Sequence, residues 1–558
     1  MKAGPSQIAP QDAEGHLWDI IVIGTGAGGA TAGFNLARLG RSVLFVERGK
    51  LLHYDPAVAR GVAFSWTGDP ETALSHGWWP RPIFYWEEEG LAPIPMRPPI
   101  GSGAGGSTAL FNGVMDRFRP QDFSPRGFFP DAPGASLPDA WPVSYEEMAP
   151  FYDRAEALYR VRGTQDPLAP TGTPLLEPSP PSERELAIFD GLKGAGLHPY
   201  RVHSALERAP GCWDCPAMLC PRACRNDAGR TCLYPALEQY GARILPNCRA
   251  VRFEETGRVV KHVLCEWEQQ RITLRARVFI LAANAFLTPA LLQRSANERF
   301  PKGLANSSGL VGRNLMLHAA SHVFARLKRT SPGSGFTVNH GVSLNDFYVA
   351  DGTKLGNIHA HPTLTRDEML RFLVQHSLRS SAAGSASSRS NSPRPISGRR
   401  WSGYLPRGLL SPMTSTAAWL CRSWMVFAAI IEDLPYPENF VAAKAGSDED
   451  VVYTYRYPDE LRRRAQVMGD RFKTAIEPLF DVRPLQPVGA LGGTHVCGTC
   501  RFGDDPRTSV LDRDNRAHDL DNLYILDASF FPSSGGINPS LTVVANSLRA
   551  TDKIARRV

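Results

Sequence analysis

The sequence predicts an α/β fold: a Rossmann-like nucleotide-binding domain assembled from separated stretches, with a second α+β domain built on an antiparallel sheet. Three observations carry this. Residues 18–49 run strand, glycine turn, helix, strand. Residues 240–295 repeat strands followed by a helix far along the chain. The stretch from Thr494 closes with an apolar strand, an Asn-Pro step and a long helix.

The first unit is WDIIVIGTGAGGATAGFNLARLGRSVLFVERG. DIIVIG is the continuous apolar run of a parallel strand covered on both faces. Gly24-x-Gly26-x-x-Gly29, with Gly28 between, turns the chain into a helix. Gly24 permits the tight turn, Gly26 lets a pyrophosphate approach the backbone, and Gly29 lets the helix pack closely. The helix N-terminus favours phosphate charge. Glu47 ends the second strand and stands where an acid accepts from a ribose 2′-OH, with Arg48 beside it. The pattern alone leaves FAD and NAD open.

Residues 51–97 are rich in aromatics; Trp66, Trp78, Trp79, Tyr85 and Trp86 read as packing around loops. GSGAGGSTALFNGVM (101–115) is a second glycine-rich stretch, whose Gly105 and Gly106 let backbone lie against a planar ligand. YEEMAPFYDRAEALYRV reads as a helix within a proline-rich excursion.

The remaining composition bounds the function. The chain has 558 residues, 43% hydrophobic and 21% charged, enough for two domains with real cores. A net charge of +7 with no nucleic-acid motif makes Arg462–Arg464 a solvated helix face, so nucleic acid is not an expected partner. The apolar stretch 419–431 contains Arg422 and falls short of the ~20 residues a bilayer span needs. The first sixteen residues lack the apolar core of a secretory signal, so the expectation is a cytoplasmic protein, with export alongside a targeted partner left open. Residues 377–400, rich in Ser, Arg and Pro, read as a disordered insertion. WMVFAAIIEDLP and DVVYTYRYP read as strands of the antiparallel sheet.

Ten cysteines include five spaced Cys212-x2-Cys215-x4-Cys220-x3-Cys224-x7-Cys232. Thiolates so close can converge on a metal, and zinc, disulfides and free thiols are the other readings. Cys497 and Cys500 form a C-x-x-C read as free thiols, with a disulfide as the alternative.

With Gly24–Gly29, the GGST loop and the C-terminal THVCGTC…NLYILDASFFP…NPSLT on the page, the chain resembles the glucose-methanol-choline (GMC) flavin oxidoreductases, nearest to bacterial sugar and alcohol dehydrogenases. The resemblance implies a GMC-type fold with FAD as cofactor. FAD would be held non-covalently, since no histidine stands around Gly101 where some relatives attach it. It assigns cofactor contacts to Gly105, Gly106, Ser107 and Asn112, to Val251 through its backbone, and to Ala283 in VFILAANAFLTP. At the C-terminus it adds Asp527, Ala528, Asn538, Pro539 and Thr542, with Pro539 aiming the last helix at the flavin.

The resemblance also implies the chemistry: hydride transfer from a CH–OH carbon of a sugar, glycoside or other alcohol to flavin N5. His495 would be the base and Asn538 its hydrogen-bonding partner, the alternative for Asn538 being an N-cap. His318 is a candidate pocket residue, and His518 reads as structural. The electron acceptor is oxygen, a quinone or a redox protein. A related branch carries an iron–sulfur cluster on three cysteines, which would be Cys215, Cys220 and Cys224 here and would make the chain the catalytic subunit of an electron-transfer complex. A non-oxidative lyase or isomerase on the same scaffold is the remaining alternative. The implied FAD domain takes 17–60, 98–125, 191–320 and 486–558, and the substrate domain 61–97, 126–190 and 321–485.

Overall fold

The computed structural model describes residues 6–51, 73, 77–86, 93–96, 98–170, 172, 174–209, 212, 218–220, 222–328, 341–361, 424–484 and 495–558. The insertion expected at 377–400 lies outside them.

The nucleotide half is a mostly parallel sheet centred on Leu17–Ile23. This strand pairs in parallel with Val43–Val46 (Ile20 opposite Val43) and with Gln270–Leu281 (Ile20 opposite Val278). Arg243–Leu245 extends one side and Leu523–Ile525 the other, both parallel. Ile20–Ile23 and Val43–Val46 are buried throughout, as both-face coverage requires. Gln270–Leu281 changes partner partway: its first residues pair antiparallel with Val259–Trp267, which continues the meander to Cys248–Thr256.

The helices Ala27–Arg38 and Ser540–Ile554 pack together on this sheet, tied by Asn35 Nδ2 donating to Thr551 Oγ1 at 2.9 Å. The approach of the first helix to the end of strand Leu523–Ile525 depends on a missing side chain. A Cβ on Gly28 would stand 1.6 Å from the Leu526 carbonyl oxygen. Gly28→Ala is therefore expected to lose on the order of 3 kcal/mol, the upper end of overpacking costs, measurable as a lowered urea midpoint.

The second half is a six-stranded antiparallel sheet, ordered Phe480–Pro484, Ala319–Leu327, Met425–Ile431, Gly356–His361, Val342–Leu344, Tyr200–Arg201. Alternation decides which face does what. Val323, Phe427 and Ile358 meet the helix Asp459–Ile476, whose Leu461, Ala465, Met468, Phe472 and Ile476 recur at helical spacing. On the other face, His322, Ala428 and His359 stand opposite one another across three adjacent strands.

DVVYTYRYP does form a strand, Val451–Thr454, but not in this sheet. It pairs antiparallel with Phe440–Ala443 and parallel with Ile83–Tyr85 in a smaller four-stranded sheet. Nothing local in the sequence links strands so far apart. Among the described residues no helix is long and apolar enough to cross a membrane.

Candidate active site

A cavity of about 550 Å³ runs from the glycine turn at Gly24 to a cluster of histidines at the face of the antiparallel sheet. Of the residues singled out from sequence, Gly24, Gly26, Gly28, Glu47, Arg48, Gly106, Ser107, Asn112, Ala283, Asp527, Ala528, His495, Asn538 and Pro539 line it. Gly29, Gly105, Val251 and Thr542 are not in its wall. Gly29 packs against the Gly24 carbonyl, Gly105 against Asp227, and Thr542 hydrogen-bonds Tyr152. Cys248, Arg249 and Ala250 form the wall where Val251 was expected.

At the nucleotide end Gly24 has φ +96°, a turn that suits glycine, and Gly26 opens onto free space. Glu47 is more than an acid at a strand end. Its Oε2 accepts from Thr25 N (3.0 Å) and Thr25 Oγ1 (2.7 Å), and its Oε1 from Gly49 N (2.7 Å) and Gly103 N (3.1 Å). Four donors fill a carboxylate's usual acceptor positions, so Glu47 clamps three loops around the cavity. Arg48 stacks on Trp79, its guanidinium 4.3 Å from the ring centre, and pairs with Glu449 at 2.7 Å. Trp78 and Trp79, read from sequence as packing, are both in the cavity wall, and the buried Trp79 Nε1 has no hydrogen-bond partner among the described residues.

Midway, Asp527 holds the turn that follows Gln270–Leu281. It accepts from Asn284 N (3.0 Å), Ser529 N (2.8 Å) and the Thr288 hydroxyl. Burial pushes its carboxyl above the usual range.

At the far end His495 has φ +57°, a left-handed conformation uncommon outside glycine and found where surrounding structure enforces it. Its Nε2 lies 3.4 Å from Asn538 Nδ2, and its Nδ1 lies 2.9 Å from His318 Nδ1. His318 Nε2 in turn lies 2.8 Å from Gly535 O and 3.2 Å from Ser534 O. The Asn538 side chain does not cap the last helix; the capping position is Pro539, without a side-chain bond. Among the described residues Asn538 Oδ1 is buried without a hydrogen-bond partner. Burial holds His318 down at about 4, and burial, then His318 and His359, hold His495 well below the usual histidine range.

The remaining candidates separate from this cluster. His518 bonds Ser509 Oγ at 2.9 Å, a structural contact. Cys497 and Cys500 are free, buried thiols. Cys220 and Cys224 are buried, with Cys224 N donating to Cys220 Sγ at 3.2 Å, but Cys215 lies outside the described residues. Among the described residues no group of three histidines, cysteines or carboxylates is placed to hold a metal.

Family models match three segments: an FAD binding domain at 19–79, and the two parts of GMC oxidoreductase at 140–320 and 484–547. The chain belongs to the GMC oxidoreductase family.

This GMC oxidoreductase is 28% identical to paromamine 6'-oxidase of Streptomyces fradiae, over 97% of this chain and 92% of that one. It is 27% identical to 2-methyl-1,2-propanediol dehydrogenase of Mycolicibacterium austroafricanum, over 97% and 95%. Pyridoxine 4-oxidase from Mesorbium loti has the same fold, with a TM-score of 0.62 at 17% identity over 96% of this chain and 99% of that one. The chain is thus an FAD-dependent oxidoreductase of the class acting on CH–OH donors.

FAD fits the site in this enzyme. The glycine-built end offers backbone and a helix N-terminus to a diphosphate, and the buried Trp79 Nε1 and Asn538 Oδ1 are polar atoms left for a ligand. Sequence reasoning missed His322 and His359. The signal was available for His322: His318, Ala320 and His322 fall at period two, so one strand face presents all three to the cavity.

Proposed function

We propose that this enzyme oxidises a primary or secondary alcohol of a sugar, glycoside or polyol, with His495 as base and Asn538 as its partner. The observation that carries the reading is the His495 Nε2–Asn538 Nδ2 pair at the end of the cavity opposite the glycine cradle. FAD, when bound, supplies the hydride acceptor.

The chain's own groups handle the proton and the oxygen. His495 Nε2 accepts the hydroxyl proton, which a neutral imidazole can do and an imidazolium cannot. Asn538 Nδ2 donates to the same oxygen and steadies the negative charge that develops on it. Beyond the pair, His322, Ala428 and His359 stand side by side on adjacent strands and line the same cavity, a partly polar wall that suits a hydroxylated substrate. The names of the relatives, a paromamine 6'-oxidase and a propanediol dehydrogenase, support a hydroxylated small substrate.

The test is anaerobic mixing of the purified holoenzyme with a panel of sugars, glycosides and polyols while flavin absorbance is followed. Bleaching by one member with formation of its carbonyl product is expected. Bleaching by none, or turnover without any reduction, would count against oxidation. Admitting oxygen afterwards separates an oxidase from an enzyme that needs another acceptor.

A pH prediction follows from the buried histidines. His495 sits well below its usual value, so the neutral base survives into mild acid. The acid limb of flavin reduction is expected below pH ~6.5, the ordinary histidine value. A limb at or above that value would argue for a different base. Stability has the same sign. A depressed folded value gives stability present above ~6.5 and lost as pH falls; for His318 the loss runs down through about 4.

A further inference from the structure

We infer that His318 is a positioning residue that sets the tautomer of His495, holding the proton on His495 Nδ1 and leaving the Nε2 lone pair toward the cavity. This rests on the reading of His495 as base and adds to it how that base is kept in its working form.

The assignment follows from what each atom can do. Gly535 O and Ser534 O are carbonyl oxygens and only accept, so His318 Nε2, at 2.8 and 3.2 Å, carries the hydrogen. A neutral imidazole has one N–H, so His318 Nδ1 bears a lone pair. Burial keeps His318 neutral at ordinary pH. His495 Nδ1, 2.9 Å away, is then the donor in that contact. A neutral His495 with its hydrogen on Nδ1 has an unprotonated Nε2, facing the amide of Asn538. The opposite tautomer would set two lone pairs against each other across 2.9 Å in a buried site.

The acceptors at the head of this relay cannot swing away. Asp433 N donates to Ser534 Oγ at 3.0 Å, and Ser534 Oγ donates to Asp433 O at 2.9 Å. Gly536 N donates to Tyr348 OH at 3.1 Å, and Gly536 O accepts from Asn357 N at 2.8 Å. The segment 534–536 is thereby pinned to the antiparallel sheet and to the loop after it. His318 itself begins the approach to strand Ala319–Leu327, so the relay links the sheet to the C-terminal segment that carries His495.

Two near-isosteric variants separate tautomer control from mere packing. His318→Asn places an amide oxygen near the old Nδ1, where it can still accept from His495 Nδ1–H. His318→Gln places an amide nitrogen near the old Nε2, where it can still donate to Gly535 O but leaves His495 Nδ1 without an acceptor. The experiment is ¹⁵N NMR of histidine-labelled holoenzyme, with His495→Asn used to assign the resonance, and flavin content and thermal midpoint as folding controls. In the unmodified enzyme and in His318→Asn the His495 signals are expected to show a protonated Nδ1 and a bare Nε2. In His318→Gln that pattern is expected to be lost, and flavin reduction to slow by about tenfold or more, part of the ~10²–10⁴ that a base contributes. A protonated Nε2 on His495 in the unmodified enzyme overturns the inference, as does an unchanged pattern in His318→Gln. Failure of the base reading is separately visible: His495→Asn would then reduce at the unmodified rate whatever the NMR shows.

Discussion

Replacing His495 by asparagine is expected to leave FAD bound and to slow flavin reduction by substrate about 10²–10⁴-fold, the range a positioned general base contributes. Asparagine is the better replacement because the position has φ +57°, which asparagine tolerates and alanine resists. Among the described residues His495 shares no hydrogen bond with the glycine turn or the Glu47 clamp, so cofactor retention should be untouched. Stopped-flow reduction under nitrogen reads the effect, with the visible spectrum reporting occupancy. Loss of the flavin instead would show that His495 is needed to build the site. An unchanged rate would remove it as the base.

The second large effect concerns stability. Lys354 is wholly buried, its Nζ 2.7 Å from Asp122 Oδ1 and 2.5 Å from Glu432 Oε2, and both carboxylates are wholly buried as well. Burial by itself would lower the Lys354 ammonium; the two carboxylates more than offset this and raise it. Tyr348 OH donates to Asp122 at 2.8 Å and accepts from Gly536 N, so the ion cluster abuts the segment that anchors His318. Lys354→Met keeps an unbranched side chain one atom shorter and removes the charge that two buried carboxylates share.

Removing one partner of a buried ion pair costs about 3–5 kcal/mol, because the charge left behind is uncompensated. Lys354→Met is expected to lose that much in equilibrium unfolding at neutral pH. The loss should shrink in acid. Burial raises the Glu432 carboxyl even with Lys354 opposing it, and without the ammonium it rises further. A group raised in the folded state stabilises fully below its unfolded value, ~4.3 for glutamate, and that stability is lost as pH rises through the folded value. The variant should therefore be nearest to the unmodified protein at about pH 4–5 and furthest from it at neutral pH. A pH-independent deficit would mean that lost packing, not stranded charge, sets the cost.

How far the sequence reached can be seen at particular residues. Gly24, Gly26 and Gly29 announced the turn and the close helix packing, since the β-to-helix switch in period and the glycine spacing are both local. The same holds for the closing strand Leu523–Ile525 and the helix Ser540–Ile554. The helix Asp459–Ile476 was legible only as a charged run at Arg462–Arg464, because its apolar residues are spread one per turn. His495 and Asn538 were picked out by motif, yet a motif states no geometry, and nothing in NLMLH reveals that His318 stands 2.9 Å from His495.

By itself, then, the sequence determined the α/β class, the nucleotide-binding turn and the pair of residues offered for chemistry, because strand and helix periods and glycine turns are written within a few tens of residues. Tertiary structure alone decided that Glu47 clamps Thr25, Gly49 and Gly103, that Val451–Thr454 joins Ile83–Tyr85 rather than the large sheet, and that Lys354 faces Asp122 and Glu432. It also decided that His318 Nδ1 stands 2.9 Å from His495 Nδ1. Each of these unites groups from distant parts of the fold, and what selects the pairing is the burial of polar and charged atoms, which must find partners wherever the packed chain brings them together.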